Sequence, residues 1–293
     1  MDLLSYLKGR LVIKLGSLLL LWLYSGYTLA APALWSATKG EQQLWLFGSI
    51  HLADERLENL PTPLLDTLKL SERLYLEIDP QDINQAELAP LLTLKANDSW
   101  QQRLGAPLAA ELTQALAEHN LSQLTGFTPW FAVLQLSQAH AKTLGFSSQQ
   151  GVDMRVLSLA KEQGLPVAGL ESAREIFHLL SSLDERGLEA DFVRHTLNEQ
   201  DDLAEHLTEL FTVWQQGDEH SLWDLLQEQA APELDEFIEQ ELLFARNQAW
   251  IDKLQQDAPQ RALLVVGALH LYGEHGLIKL LKREGYRLKR LKD

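Results

Sequence analysis

The chain has no cysteine among its 293 residues. This absence excludes disulfide bonds, thiolate metal ligands, a cysteine nucleophile and lipid attachment through a cysteine. A chain without cross-links has to be held together by a hydrophobic core or by a metal ion. Hydrophobic residues make up 46% of the sequence, which is enough for one large domain or two small ones.

Basic residues are much fewer than acidic ones. Lysine and arginine number 25 against 41 aspartate and glutamate residues, which gives a formal net charge of −16. The first thirty residues contribute +2, so the remainder carries −18. A strongly acidic chain repels phosphate backbones, and the composition therefore predicts no nucleic-acid partner.

Runs of about 20 apolar residues, which a membrane span needs, are missing after residue 30. Residues 1–30 themselves have the pattern of a secretory signal. A basic start with Lys8, Arg10 and Lys14 precedes an apolar segment at 15–23, and small residues follow up to Ala30. We predict cleavage after Ala30 and a periplasmic or secreted location. The alternative is an uncleaved membrane anchor formed by residues 11–30, which would be the protein's only membrane contact.

Two short apolar segments end in the same motif, Gly-x-x-His followed by Leu. They are Leu-Trp-Leu-Phe-Gly-Ser-Ile-His at 44–51 and Leu-Leu-Val-Val-Gly-Ala-Leu-His at 263–270. A short apolar run bounded by glycine is typical of a strand buried on both faces. Ligands of open α/β sheets bind beyond the carboxyl ends of such strands, so His51 and His270 are predicted to share one crevice. The glycines would allow a turn or a close backbone approach there.

Two further predicted strands end in a carboxylate. The segment at 73–80 alternates apolar and polar residues, carries Glu77 near its end and stops at Pro80. Asp79 would lie on the same face as Glu77, one step further out. A strand at 165–171 closes on Glu171. Both glutamates are therefore predicted at the sheet edge that carries the histidines.

The remaining pattern is mostly helical. We predict an α/β fold with a mixed central sheet and large helical insertions that cover its carboxyl edge. The insertions are expected at about residues 81–162 and 172–255, inside a single domain at 31–293. A hairpin at 32–47 opens the domain, and an edge strand at 286–291 closes it.

His51, Glu77 and His270 are the candidate metal ligands, because imidazole and carboxylate donors suit divalent Zn, Mn, Co or Fe. Two histidines, a carboxylate and an open position form a common catalytic site that activates water. The same residues could also act without metal, with a histidine as general base. The structural alternative is that each Gly-x-x-His arises by chance and that its histidine is an ordinary surface or core residue.

The order of several short motifs resembles that of the TraB/GumN family, which includes the TIKI proteases and the pheromone-shutdown protein of conjugative plasmids. The resemblance covers almost the whole chain after residue 30. It rests on the motifs at residues 46–52, 76–77, 151–153, 169–172, 246–247, 266–271, 273, 276 and 285–286.

This resemblance implies a fold similar to the erythromycin-esterase and ChaN-like group, and an active site built from the paired motifs and a glutamate. Likeness to the TIKI proteases implies metal-dependent proteolysis with Mn or Co. The residues that it places in the site are His51, Glu77 and His270, with Glu171, Arg246 and Asn247 as second choices.

Our leading hypothesis is an exported metal-dependent hydrolase, a peptidase with a peptide or protein substrate. The rival hypothesis is a non-catalytic protein that binds a peptide or a haem-like iron ligand in the same cleft. A third hypothesis is that the histidine pair is structural and that the acidic helical faces dock a partner.

Overall fold

The computed structural model describes residues 32–226 and 231–291. The predicted signal peptide at 1–30 and the alternative anchor at 11–30 lie outside the described residues. Within the described part, no helix is both long and apolar enough to cross a membrane.

A six-stranded mixed sheet forms the centre of the described residues. Its strands are β1 (Leu34–Lys39), β2 (Gln42–Ser49), β3 (Arg73–Leu76), β4 (Val167–Gly169), β5 (Arg261–Gly267) and β6 (Arg287–Leu291). The order across the sheet is β4-β3-β5-β2-β1-β6. The four strands β4, β3, β5 and β2 run parallel, whereas β1 and β6 pair antiparallel at one side. The fold is therefore α/β with a mixed sheet, as predicted.

Strands β2 and β5 lie side by side in the middle of this sheet, and they are the two segments that carry the repeated motif. Leu44, Leu46 and Phe47 of β2 are completely buried, as are Leu263 and Leu264 of β5. Burial on both faces explains why these strands are continuous apolar runs rather than alternating ones.

The opening hairpin is present, with β1 and β2 joined at Gly40, whose φ of 59° lies in the left-handed region.

The strand predicted at 73–80 is shorter than expected. It is β3, which ends at Leu76. Asp79 does not extend it. Its side chain is buried and accepts a hydrogen bond from the backbone N–H of Gln81, so it caps the short 3₁₀ helix Pro80–Asp82. The placement of Asp79 beside Glu77 on the strand face was wrong.

Helices fill the two long connections where the sequence predicted them. One helix, α1 (Thr62–Leu70), joins β2 to β3. Between β3 and β4 lie α2 (Gln85–Leu92), α3 (Trp100–Leu104), α4 (Ala106–Glu118), α5 (Pro129–Thr143) and α6 (Val152–Glu162). Between β4 and β5 lie α7 (Ala173–Glu185), α8 (Glu189–Asn198), α9 (Leu203–Gln216), α10 (Glu219–Leu226), α11 (Pro232–Phe237), a π-helix (Ile238–Ala245) and α12 (Arg246–Asp257). Helix α13 (Leu277–Arg283) precedes β6.

Buried apolar residues in the described part of the chain form three clusters. The largest surrounds the sheet and includes Phe47, Trp214 and Trp250. A second cluster lies among α3, α4, α5 and α8, and a third packs around Trp130 and Leu183. The helical connections thus have apolar centres of their own and do not depend on the sheet alone for burial. That residues 31–293 form a single domain stays a prediction.

Candidate functional site

Four adjacent parallel strands each deliver one candidate side chain to the same edge of the sheet. His51 follows β2 by two residues, Glu77 follows β3 directly, Glu171 follows β4 by two residues and His270 follows β5 by three. Because the strands run parallel, their carboxyl ends coincide at this edge. The sheet topology therefore brings together residues that are up to 219 positions apart in the sequence.

Glu77 lies at the centre of this group. Its Oε1 atom is 3.8 Å from His51 Nε2 and 3.8 Å from His270 Nε2. The same oxygen accepts a hydrogen bond of 2.7 Å from the backbone N–H of Gly267. The other oxygen, Oε2, accepts one of 2.7 Å from Arg246. One carboxylate thus faces both imidazoles while two donors fix its orientation.

His270 is buried, and its tautomer follows from its neighbours. The side-chain nitrogen of Asn247 donates to the backbone carbonyls of His270 and His275, so its oxygen is the atom that faces His270 Nδ1 at 2.8 Å. Nδ1 must therefore donate, which leaves a lone pair on Nε2. Arg246, which can only donate, lies 3.3 Å from this Nε2. Burial lowers the pKa of His270 to about 4, so its imidazole is neutral at pH 7.

His51 is in the opposite state. Its Nδ1 atom is 3.1 Å from Oδ2 of Asp153, and its side chain is 59% exposed. The hydrogen bond to Asp153, supported by the negative charge of Glu77, raises the pKa of His51 to about 9. The imidazole is accordingly a cation at pH 7. The two histidines of the repeated motif are therefore not equivalent.

Glu77 is ionised although it is buried. Burial alone would raise the pKa of its carboxyl, but neighbouring positive charge and the N–H of Gly267 outweigh burial and lower the pKa to about 2. His270 adds positive charge only in acid, since it is neutral above a pKa of about 4. At pH 7 the carboxylate is held by His51, Arg246 and the backbone donor.

Arg246 connects Glu77 to Glu171. Two nitrogens of its guanidinium donate to Glu171. Nε lies 2.9 and 3.1 Å from the two carboxylate oxygens, and Nη2 also donates to Oε1. The cation also lies over the ring of Trp250, with 4.9 Å from Cζ to the ring centroid. Burial raises the pKa of Glu171 against the pull of Arg246. This arginine is the residue that joins the outer carboxylate to the histidine pair.

A π-helix sets the position of Arg246 and Asn247. Residues Ile238–Ala245 adopt this wider helical form directly before α12, and π-helical turns are frequent at functional sites. The carbonyl of Leu242 in this turn accepts a hydrogen bond of 2.7 Å from Arg246. The irregular turn thus holds the guanidinium from behind.

The two glycines of the repeated motif serve close packing. A Cβ on Gly267 would lie 3.2 Å from Glu77 Oε1 and 3.6 Å from His51 Nε2. A Cβ on Gly48 would lie 3.0 Å from the Cα of Ala268. Of the two roles expected for these glycines, close approach is the one that the geometry supports, since neither residue has a positive φ.

A cavity of about 360 Å³ opens onto the cluster. Its polar corner is formed by His51, Glu77, Arg246 and His270. The other side chains around it are almost all apolar. The apolar ones are Ile50, Leu52, Leu207, Leu210, Leu222, Leu243, Ala268 and Leu269, and Ser49 is the polar exception. The arrangement offers a small ligand one reactive end and one hydrophobic wall.

All six residues singled out from the sequence lie in or beside this cluster. His51, Glu77, His270 and Arg246 line the cavity, Asn247 holds His270 from behind, and Glu171 lies on the far side of Arg246. Their roles stay predictions. Asp153 was missed as a site residue, because its position in the first turn of α6 has an ordinary explanation in the helix dipole. The sequence feature that could have identified Asp153 is the Gly-Val-Asp motif at 151–153, because its Gly151 lies against the backbone of His51.

Whether the cluster suits a metal ion can be judged from its donors. Among the described residues, no group of three or more His, Asp or Glu side chains forms a ready metal-ion site. The donor chemistry nevertheless fits one. Both Nδ1 atoms are held by side-chain oxygens, those of Asp153 and Asn247, which is the usual support for histidines that bind metal through Nε2. Two changes are needed before an ion can bind. Arg246 faces Nε2 of His270 and would have to give up that contact, and His51, which is a cation at pH 7, would have to release its Nε2 proton.

The fold and the site define an α/β protein with a histidine–glutamate cluster at the carboxyl edge of four parallel strands. The sequence model of the TraB/PrgY/gumN family matches residues 33–290, and the chain belongs to this family.

Two curated relatives are similar over most of their length. "Uncharacterized protein YbaP" of Escherichia coli (strain K12) is 29% identical over 277 residues, which cover 85% of this chain and 97% of the relative. The protein of the same name from Shigella flexneri gives the same values. No solved structure matches the chain.

Proposed function

We propose that this protein is an exported, metal-dependent hydrolase that cleaves peptide bonds. The observation that carries the proposal is the convergence of two imidazole Nε2 atoms on one oxygen of Glu77, 3.8 Å from each. Membership in the TraB/PrgY/gumN family supports a shared site at this edge of the sheet.

The residues that would hold the ion are His51, Glu77 and His270. Their two nitrogen donors and one carboxylate suit Mn or Co, and also Zn or Fe. When bound, such an ion lowers the pKa of a water molecule and polarises a substrate carbonyl.

The other residues prepare this centre. Asp153 and Asn247 hold the Nδ1 protons, so that both Nε2 atoms face the carboxylate. Arg246, anchored by Glu171, places a positive charge beside the reacting groups, where it would stabilise a developing oxyanion.

Two further parts of the proposal concern the fold group and the location. The central parallel strands and the site at their carboxyl ends support the likeness to the erythromycin-esterase and ChaN-like group. The basic, apolar and small-residue order of residues 1–30 supports export to the periplasm or beyond, with a membrane anchor at 11–30 as the alternative.

Activity measurements on purified protein test the proposal. A peptide library would be incubated with the wild type in the presence of Mn, Co, Zn or Fe, and with the variants His51→Ala, His270→Ala and Glu77→Gln. Loss of one ligand should lower kcat/KM by roughly 10²-fold or more. The matched control is His275→Ala, since His275 is exposed and does not line the cavity.

Two results would overturn the proposal. One is cleavage that is equal in the wild type and the three site variants. The other is peptide binding with no product under any metal, which would favour the non-catalytic alternative of a peptide- or haem-binding protein.

A further inference from the structure

The leucine-lined cavity has features of a specificity pocket, and nothing in the hydrolytic chemistry above requires them. Five leucines converge there from four separate elements. They are Leu207 and Leu210 of α9, Leu222 of α10, Leu243 of the π-helix and Leu269 in the 3₁₀ turn after β5. Leu207, Leu222 and Leu243 are at most 9% exposed, so the wall is packed rather than loose.

A buried hydrogen bond joins helix α9 to the first Gly-x-x-His motif. Trp214 is buried, and its indole N–H donates a hydrogen bond of 2.8 Å to the carbonyl of Gly48, the glycine of the first motif. Leu210 and Leu207 precede Trp214 by one and two helical turns, so all three lie on the same face of α9. The hydrogen bond from Trp214 therefore fixes α9, which carries two leucines of the wall, relative to β2, which His51 follows.

The size and polarity of the cavity limit what it binds. A volume of about 360 Å³ is near the lower end of the roughly 300–1,000 Å³ that small-molecule sites span, which suits one bulky side chain with its adjoining backbone. A ligand there must place a polar group against Glu77 and the histidines and an apolar group against the leucines. Ser49 also lines the cavity. Its buried hydroxyl has no hydrogen-bond partner among the described residues, and it could bond a backbone group of the ligand.

We propose that this cavity binds the apolar side chain of the substrate residue next to the scissile peptide bond, and so makes the protein selective for leucine- or phenylalanine-sized residues there. This inference rests on the proposed peptidase function. One methylene in a hydrophobic pocket changes kcat/KM by roughly 10–200-fold.

The test uses fluorogenic hexapeptides that are identical except for Gly, Ala, Leu or Phe at one position, scanned on both sides of the bond. For one side we expect kcat/KM to rise at least tenfold from Ala to Leu. Leu210→Phe, which narrows the cavity, should reduce the Leu-to-Ala ratio by about tenfold, whereas Leu210→Ala should shift the preference towards Phe. Ratios within one variant are independent of how much of that variant is folded.

Leu203→Ala is the matched control. Leu203 and Leu210 both lie on α9, are partly buried and pack against the core, but only Leu210 lines the cavity. Its replacement should leave the Leu-to-Ala ratio unchanged. An equal change in Leu203→Ala and Leu210→Ala would contradict the inference.

Reduced-amide peptides of the same series, which cannot be hydrolysed, separate this inference from the proposed function. Calorimetry should show tighter binding of the Leu and Phe peptides than of the Gly peptide to the wild type, and a smaller difference in Leu210→Phe. Such a preference without turnover of the cleavable series would overturn the peptidase proposal and support the pocket. Turnover without any preference, or equal binding of all four peptides, would overturn the pocket.

Discussion

At the scale of single residues, His51 and His270 are held in different protonation states by different neighbours. A carboxylate faces Nδ1 of His51, whereas the neutral amide of Asn247 faces Nδ1 of His270 in a buried setting. The pKa values of about 9 and about 4 follow from this difference. One imidazole is therefore a proton donor at neutral pH and the other a proton acceptor.

The first prediction concerns Asp153→Asn, which should bring the pKa of His51 down from about 9 towards 6.5. The folded pKa of His51 lies above its unfolded value, so its stabilising contribution is complete below pH 6.5 and is lost as the pH rises through about 9. The variant should thus lose less stability between pH 6.5 and 9 than the wild type. NMR titration of the histidine ring in chelator-treated protein measures the pKa directly.

Asp66→Asn is the control for this titration, because Asp66 is 59% exposed and its ion pair is with Lys69 rather than with a residue of the site. An unchanged His51 pKa in Asp153→Asn would show that Asp153 does not set the protonation state.

The second prediction concerns Asn247→Asp. Asn247 is 1% exposed, and its amide nitrogen donates to two backbone carbonyls. A carboxylate there would face those carbonyls without a donor, so the free energy of unfolding should fall by about 1–3 kcal/mol or more. Urea denaturation measures the loss. Gln248→Glu, at the exposed neighbouring position, should cost little, and an equal loss in both variants would contradict the argument.

At the scale of elements, Gly48 and Gly267 of the repeated motif determine how closely other groups pack against the ends of β2 and β5. Gly48 permits contact between the end of β2 and the 3₁₀ turn Ala268–Leu271, whereas Gly267 leaves space beside Glu77. Gly48 thus allows close packing between two elements, and Gly267 allows close packing against the carboxylate of Glu77.

The third prediction compares Gly48→Ala with Gly267→Ala. The Cβ at position 48 would lie 3.0 Å from the Cα of Ala268, and this backbone cannot move without disturbing the turn. The free energy of unfolding should therefore fall by about 1–3 kcal/mol. The Cβ at position 267 would instead crowd Glu77 Oε1 at 3.2 Å, so activity should fall more than stability. Thermal unfolding and kcat/KM measured on both variants check this. The reverse pattern would refute the assignment of roles.

The fourth prediction concerns the capping box of α7. Ser172 accepts from the N–H of Glu175, and the carboxylate of Glu175 accepts from the N–H of Ser172. Ser172→Ala should lower the free energy of unfolding by about 0.5–2 kcal/mol, measured by denaturant titration. Ser181→Ala, which removes a hydroxyl inside the same helix, should cost less. An equal cost would argue against the cap.

The sequence predicts which segments are strands and which site residues follow them better than it predicts how the strands pair and which side chains meet. Periodicity and the glycine boundaries identified β2 and β5, and the alternation after residue 73 placed Glu77 at a strand end. The order of strands could not be read, because pairing between segments over 200 residues apart leaves no local pattern. For the same reason the partner of His51 was missed: Asp153 contacts it across 102 residues.

At the scale of the whole molecule, the helical connections serve the sheet edge in two ways. The block between β3 and β4 supplies Asp153, and the block between β4 and β5 supplies Arg246, Asn247 and most of the leucine wall. The site thus needs both blocks and the four parallel strands together. That the net charge of −16 keeps nucleic acid from binding stays a prediction.

The most direct test of the central claim is calorimetric titration of metal-free protein with Mn²⁺, in the wild type and in His51→Ala, Glu77→Gln, His270→Ala and the control His275→Ala. We expect one ion per chain in the wild type and in His275→Ala, and affinity at least 10–100-fold weaker in each of the other three variants. No binding to the wild type, or equal binding in all variants, would contradict it.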